Sequence, residues 1–120
     1  MDKVLAVLVL FTAALFSLPS SGAPRAQSAE ECAVAADMAL VAQSLAGEAI
    51  ERPKAGAIMA RIYGVAGSER GSAMMNAILN AAYSRSAAGG ASTGHAFAEE
   101  LLSTCLKSSG NMDSVLGTSL

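Results

Sequence analysis

The sequence predicts an all-α fold: a small four-helix up-down bundle with one disulfide, following a cleaved signal peptide. The chain of 120 residues suits one domain, and its alanine-rich segments, its lack of Trp and its three Pro favour helices over sheet. Four stretches have the helical spacing of apolar residues and are joined by short links. Such helices alternate in direction, so the start of the first lies beside the end of the fourth. The two cysteines, Cys32 and Cys105, occupy those two places.

Residues 1–26 are typical of a secretory signal peptide. A continuous apolar run over residues 4–18 ends at a Pro-Ser-Ser-Gly break. The run is shorter than the ~20 residues of a membrane span, so an uncleaved anchor is only the second interpretation. Small residues follow, and we expect cleavage after Ala26, with Ala23 and Ala29 as alternative positions.

Cleavage would leave a helical domain over residues 27–110 and a C-terminal tail over residues 111–120. We expect this protein to be exported, periplasmic or extracellular, with no stable membrane span. In an oxidising compartment two cysteines of a small domain usually pair, so Cys32 and Cys105 are predicted to form a disulfide. The bond would close a long loop and contribute a large part of the net stability.

The first helix is predicted over residues 28–46. Ser28 and Glu31 have the spacing of a capping box. The helix is apolar on almost every side, which is typical of a helix that several neighbours bury. One predicted face carries Val34, Met38, Val41 and Leu45, and a second carries Cys32, Ala35, Ala36 and Ala39.

The second and third helices follow short links. Pro53 suits the first turn of the second helix, and Gly64 suits its end. Ser68 is the predicted N-cap of the third helix, which is expected to end near Arg85. The buried stripe of the second helix is predicted to consist of Ala55, Ile58, Met59 and Ile62. The buried face of the third is predicted to consist of Gly71, Met75, Ile78, Leu79 and Ala82.

The fourth helix follows a glycine-rich stretch. Ser92 or Thr93 is its predicted N-cap, and Lys107 suits its last turn. Its buried stripe is predicted to consist of Ala98, Leu101, Leu102 and Cys105, with Phe97 at the edge. Three apolar residues of the tail are expected either to dock as one turn or to fray: Met112, Val115 and Leu116.

Charge and motifs exclude several classes of function. The formal net charge is −2, and no basic cluster suits nucleic acid. The glycines of residues 64–71 follow a helix rather than a strand, so they form neither a phosphate loop nor a dinucleotide fingerprint. Met38, Met59 and Met75 are interpreted as core filling rather than as a copper site. We therefore expect no cofactor and no metal site.

His95 is the only histidine and the one candidate for catalysis or metal binding. A Ser-His-Asp arrangement would need Asp37 or Asp113 as its partner, and no GxSxG motif accompanies any serine. His95 and Glu99 share a helix face, but two ligands fall short of the three or four that zinc takes. The expected role of His95 is an exposed residue in the first turn of a helix.

These observations predict a small exported, non-enzymatic protein that serves as a binding or protein-interaction module of the bacterial envelope. The expected partner is a protein or a small apolar ligand, bound near Tyr63, Met74 and Tyr83. A periplasmic acid-stress chaperone is the first alternative, because such proteins are similar in size, helix content and single cysteine pair. A small hydrolase that uses His95 is the second alternative.

Overall fold

The computed structural model describes residues 24–89 and 94–117. Almost the whole predicted signal peptide therefore lies outside the described residues. The two candidate caps of the fourth helix, Ser92 and Thr93, and the last three residues of the tail lie outside them too.

The described residues form helices and no strands, which confirms the all-α prediction. In chain order the helices are α1 (Ala29–Gly47), α2 (Arg52–Tyr63), α3 (Glu69–Ala87), α4 (Gly94–Lys107) and the single turn α5 (Asp113–Leu116). None of these helices is long and apolar enough to cross a membrane.

The predicted helix boundaries are confirmed where a side chain or a glycine sets them. The hydroxyl of Ser28 accepts a hydrogen bond from the Glu31 N–H at 3.1 Å, and that of Ser68 accepts one from the Gly71 N–H at 2.9 Å. The Glu31 carboxylate completes the cap of α1, although it accepts from the N–H of Gln27 rather than of Ser28. A glycine sets the end of α2: Gly64 has the left-handed conformation, with φ 62°.

Covalent and ionic links set the relative directions of α1, α3 and α4. The disulfide between Cys32 and Cys105, with Cα atoms 5.7 Å apart, joins the start of α1 to the end of α4, so these helices are antiparallel. Arg70 donates two hydrogen bonds to the Glu31 carboxylate, at 2.6 and 2.9 Å, and joins the starts of α1 and α3. These contacts are the ones that an up-down order requires.

Helix α1 is the centre of the bundle. It packs most extensively against α4 and α3, and it also contacts α2. Three alanines on its inner side, Ala35, Ala39 and Ala42, are fully buried. Because they are small, they allow neighbouring backbones to approach closely, so α1 packs directly on α3. In a regular square bundle these two helices would face each other across a diagonal.

The predicted division of α1 into two faces is partly wrong. Val34 was placed on a face with Met38, but it is 46% exposed, whereas Met38 is buried. The alanine side of the helix faces the core, where small side chains let the neighbouring helices approach closely. The larger residues Val41 and Leu45 end up partly buried at the margin.

Helix α4 is also rotated from its predicted orientation. Phe97, predicted at the edge, is fully buried beneath the guanidinium of Arg85, which lies 4.4 Å from the ring centroid. Leu102, predicted in the stripe, is only partly buried. The reason is that Gly94 lies on the side of Phe97: a Cβ there would be 3.0 Å from the Leu40 carbonyl oxygen, so the start of α4 packs closely on α1.

Segments on both sides of the predicted domain, 27–110, belong to the packed unit. Met112 is 1% exposed, and the turn α5 packs against α3 and α4, so the tail docks rather than frays. At the other end of the chain, Ala26 is 4% exposed and joins the same core. The core therefore extends beyond the four helices in both directions.

We predict that the disulfide carries much of the stability. The double substitution Cys32→Ala/Cys105→Ala should lower the free energy of unfolding by about 4 kcal/mol, because the bond closes a loop of 73 residues in the unfolded chain. Urea denaturation of the oxidised protein and of the variant measures the difference. Reductant should shift the wild-type midpoint to that of the variant and leave the variant unchanged; equal midpoints for all samples would contradict the prediction.

Candidate interaction surface on the second helix

Hydrogen bonds at both ends hold α2 against its neighbours. At its start, the Arg52 guanidinium donates to the side-chain oxygens of Asn76 and Asn80 on α3, at 3.0 to 3.1 Å. At its end, the Tyr63 hydroxyl donates to the Asp37 carboxylate on α1, at 2.5 Å. These contacts make α2 antiparallel to α1 and α3, and they complete the predicted up-down-up-down order.

These two anchors determine which side of α2 faces inward. Arg52 and Tyr63 lie on the same side of the helix as the fully buried Ala55 and Met59. At 100° per residue, this face is rotated by roughly 50° from the predicted stripe. The prediction that Ile62 is buried is consequently wrong, because Ile62 is 57% exposed.

The outward side of α2 forms a shallow groove. All of its lining residues belong to α2.

 

The α2 groove measures about 230 Å³. Its lining consists of Lys54, Ala57, Ile58, Arg61 and Ile62. It is therefore a shallow surface feature of a single helix, in which Lys54 and Arg61 lie on one flank of an apolar strip.

The charge of α2 is of one sign. Its sequence, RPKAGAIMARIY, contains three cationic residues and no acidic one, in a chain whose formal net charge is −2. Among the described residues the ion pairs are Arg70 with Glu31 and Arg85 with Glu100, so the two cations beside the groove belong to neither. The outer face of α2 thus combines an apolar strip with two cations on one flank.

The surface predicted near Tyr63, Met74 and Tyr83 is not one continuous patch. The Tyr83 hydroxyl donates to the carbonyl oxygen of Ile50, just before α2 begins, whereas Tyr63 lies at the end of α2. The 12 residues of α2 separate the two phenols by about 18 Å. Met74 is 5% exposed and lies in the core.

Both phenols serve as structural hydrogen-bond donors. Burial raises the pKa of Tyr63, and its hydrogen bond to the Asp37 carboxylate raises this pKa further. Burial also raises the pKa of Tyr83, although the charge of Arg52 opposes the shift. The signal that could have revealed the first contact is Asp37, the one charged residue in the apolar middle of α1.

His95 lies exposed in the first turn of α4, where the sequence placed it. Glu99, on the same face, is exposed as well, and Glu100 accepts a hydrogen bond from Arg85 at 3.0 Å. Within residues 24–89 and 94–117, no group of three or more His, Cys, Asp or Glu side chains is placed to hold a metal ion.

Comparisons with protein-family models, with curated proteins and with solved structures give no match to this chain.

Glu31 and Arg70 form an ion pair with two hydrogen bonds at the starts of α1 and α3. The hydrogen bond from Arg70, together with that from the Gln27 N–H, lowers the pKa of Glu31 from 4.5 to about 2. Arg70 also donates to the carbonyl oxygen of Arg25. This cluster joins α1, α3 and the segment that precedes α1.

We predict that truncation of two apolar residues of α2 has effects of very different size. Met59→Ala should lower the free energy of unfolding by about 3 kcal/mol, because it opens a cavity in the core. Ile62→Ala should change it by less than about 1 kcal/mol, because that side chain is already largely in water. Urea denaturation measures both. Equal losses would show that α2 faces inward as the sequence pattern predicted.

We also predict a specific loss of stability in acid. Because the pKa of Glu31 is lower in the folded protein, its stabilising contribution is complete above pH 4.5 and disappears as the pH falls toward 2. Glu31→Gln should remove this part of the pH dependence, whereas Glu30→Gln, an exposed neighbour in the same turn, should retain it. Denaturation between pH 2 and pH 7 tests this, and identical profiles for the two variants would contradict it.

Proposed function

We propose that this protein is a small exported, non-enzymatic interaction module of the bacterial envelope, and that the outer face of α2 binds an acidic amphipathic helix of a partner protein. The observation that carries the proposal is the exposure of Ile62, 57%, on a helix with cationic residues and no acidic one. Ile62 lines the groove together with Ile58 and Ala57, and this apolar strip is available for contact with another molecule.

The spacing of the apolar residues supports a helical partner. Ile58 and Ile62 are four residues apart and therefore lie one above the other on α2. A partner helix that presents apolar residues at the same spacing can pack them against this pair. The third apolar lining residue, Ala57, is small enough to let a partner helix approach closely.

The charge of the groove supports an acidic partner rather than a second copy of this chain. Two α2 helices packed face to face would bring Lys54 and Arg61 of one copy near those of the other, and like charges repel. Acidic residues at the border of a partner helix would instead pair with both cations. Such pairs add more to specificity and association rate than to affinity.

Two features support export. The apolar run over residues 4–18, followed by small residues, has the pattern of a signal peptide. The disulfide between Cys32 and Cys105 suits an oxidising compartment, where such bonds persist. We therefore propose a periplasmic or extracellular location.

The acid-stress chaperone alternative has less support. Such a protein loosens at low pH, whereas the pKa of Glu31, about 2, keeps its bond with Arg70 charged until the pH approaches that value. The disulfide restrains the same end of the bundle. A partner surface that is already exposed at neutral pH fits the interaction module better.

Synthetic peptides test the proposal. An amphipathic helix about four turns long, with Leu on one side and Glu at the borders, should shift the NMR amide signals of α2 and bind measurably in fluorescence anisotropy. Replacing Glu by Lys in the peptide should abolish binding, because the charges then repel. Ile62→Asp should weaken binding at least about 10-fold.

Val34→Asp is the matched control, since Val34 is another exposed apolar residue but lies on α1 outside the groove. This variant should bind the acidic peptide as the wild type does. Equal binding of both peptides, or of neither, would contradict the proposal. If the protein bound anionic phosphatidylglycerol vesicles but not the acidic peptide, the proposal of a protein partner would be overturned in favour of a lipid surface.

A further inference from the structure

The residues that precede α1 are built into the end of the bundle that contains the disulfide. Ala26 is 4% exposed, and its N–H donates to the carbonyl oxygen of Gly110 at 2.9 Å. The cavity of about 320 Å³ beside the disulfide is lined in part by Ala26 and Gly110. We call residues 24–27 the N-terminal strap.

The turn after α4 is shaped to receive this strap. Gly110 has a φ of +93°, and a Cβ at this position would lie 2.0 Å from the carbonyl oxygen of Ala26. Only glycine fits both the backbone conformation and the close approach. The Gly110 N–H donates to the carbonyl oxygen of Cys105 at 2.8 Å, so the same residue ties the strap to the end of α4.

The side of the strap toward α3 is anchored as well. Arg70 donates to the carbonyl oxygen of Arg25, and the Glu31 carboxylate accepts from the Gln27 N–H at 2.8 Å. Backbone groups of three consecutive residues, Arg25, Ala26 and Gln27, thus each have a partner in the bundle. A segment with this many specific contacts is part of the fold.

Cleavage after Ala26, the position that the sequence favours, would remove two of these three anchors. The Gly110 carbonyl oxygen would lose its donor, and Arg70 would lose one of its acceptors. Cleavage after Ala29 would remove the Ser28 cap of α1 in addition. Cleavage after either Ala26 or Ala29 would therefore disrupt the observed packing.

We propose that signal peptidase hydrolyses the bond between Gly22 and Ala23, so that the mature protein keeps the N-terminal strap. Water adds across this peptide bond and leaves a carboxylate on Gly22 and an amino group on Ala23. Gly22 and Ser20 are the small residues that the enzyme requires, and Pro24 is not the first residue after the cut. The proposal rests on the export that the proposed function includes.

Export of the full chain in a bacterial host, followed by intact mass and N-terminal sequencing, tests the position. A mature protein that begins at Ala23 supports the proposal. One that begins at Gln27 or Glu30 overturns it and leaves export intact. An uncleaved chain retained in the cytoplasm overturns both this proposal and the export part of the proposed function.

Two recombinant chains test the structural argument independently of export. A chain that begins at Ala23 should have a higher urea midpoint than one that begins at Gln27. Gly110→Ala should lower the midpoint of the longer chain more than that of the shorter one, because only the longer chain has the Ala26 carbonyl oxygen against which the new methyl group clashes. If the two chains had equal urea midpoints, or if Gly110→Ala lowered both midpoints equally, the proposal that the strap is part of the fold would be overturned.

Discussion

The covalent bond between Cys32 and Cys105 is the constraint on which the rest of the structure depends. It fixes the start of α1 beside the end of α4, and α1 is the helix that all three other long helices contact. The chain before α1 and the turn after α4 then meet at one place, where Ala26 bonds to Gly110. A small domain has a modest core, so this end of the bundle is held by a covalent bond and specific hydrogen bonds together.

Helix α2 shows how polar contacts can override an apolar pattern. Burying Ile62 would have removed more apolar surface from water, yet the helix is held by Arg52 at one end and Tyr63 at the other. Hydrogen bonds to charged groups are stronger than those between neutral groups, and here two of them act on the same side of a short helix. The consequence is an apolar strip at the surface, which is the basis of the candidate site.

Local signals in the sequence predicted the parts of the fold that local chemistry determines: the helix caps at Ser28 and Ser68, the end of α2 at Gly64 and the disulfide. The inward faces were harder to predict. Helix α1 is apolar on almost every side, so periodicity could not choose between Val34 and the alanines. The choice depends on how closely other helices approach, which is a property of the whole fold. The candidate site was missed for a related reason, since the partners of α2 lie on distant parts of the chain.

The position of the N-terminal strap has a practical consequence for how the protein can be attached to something else. Ala26 and Gly110 are hydrogen-bonded neighbours, so the chain enters the helical bundle at the pole that holds the disulfide. The tail then runs back along α3, and Gly117 lies near Ser84 and Arg85 toward the end of that helix. A tether, a surface or a fused domain joined ahead of the strap would therefore sit at the disulfide pole, and the opposite pole, where α2 begins and α3 ends, would point away from it.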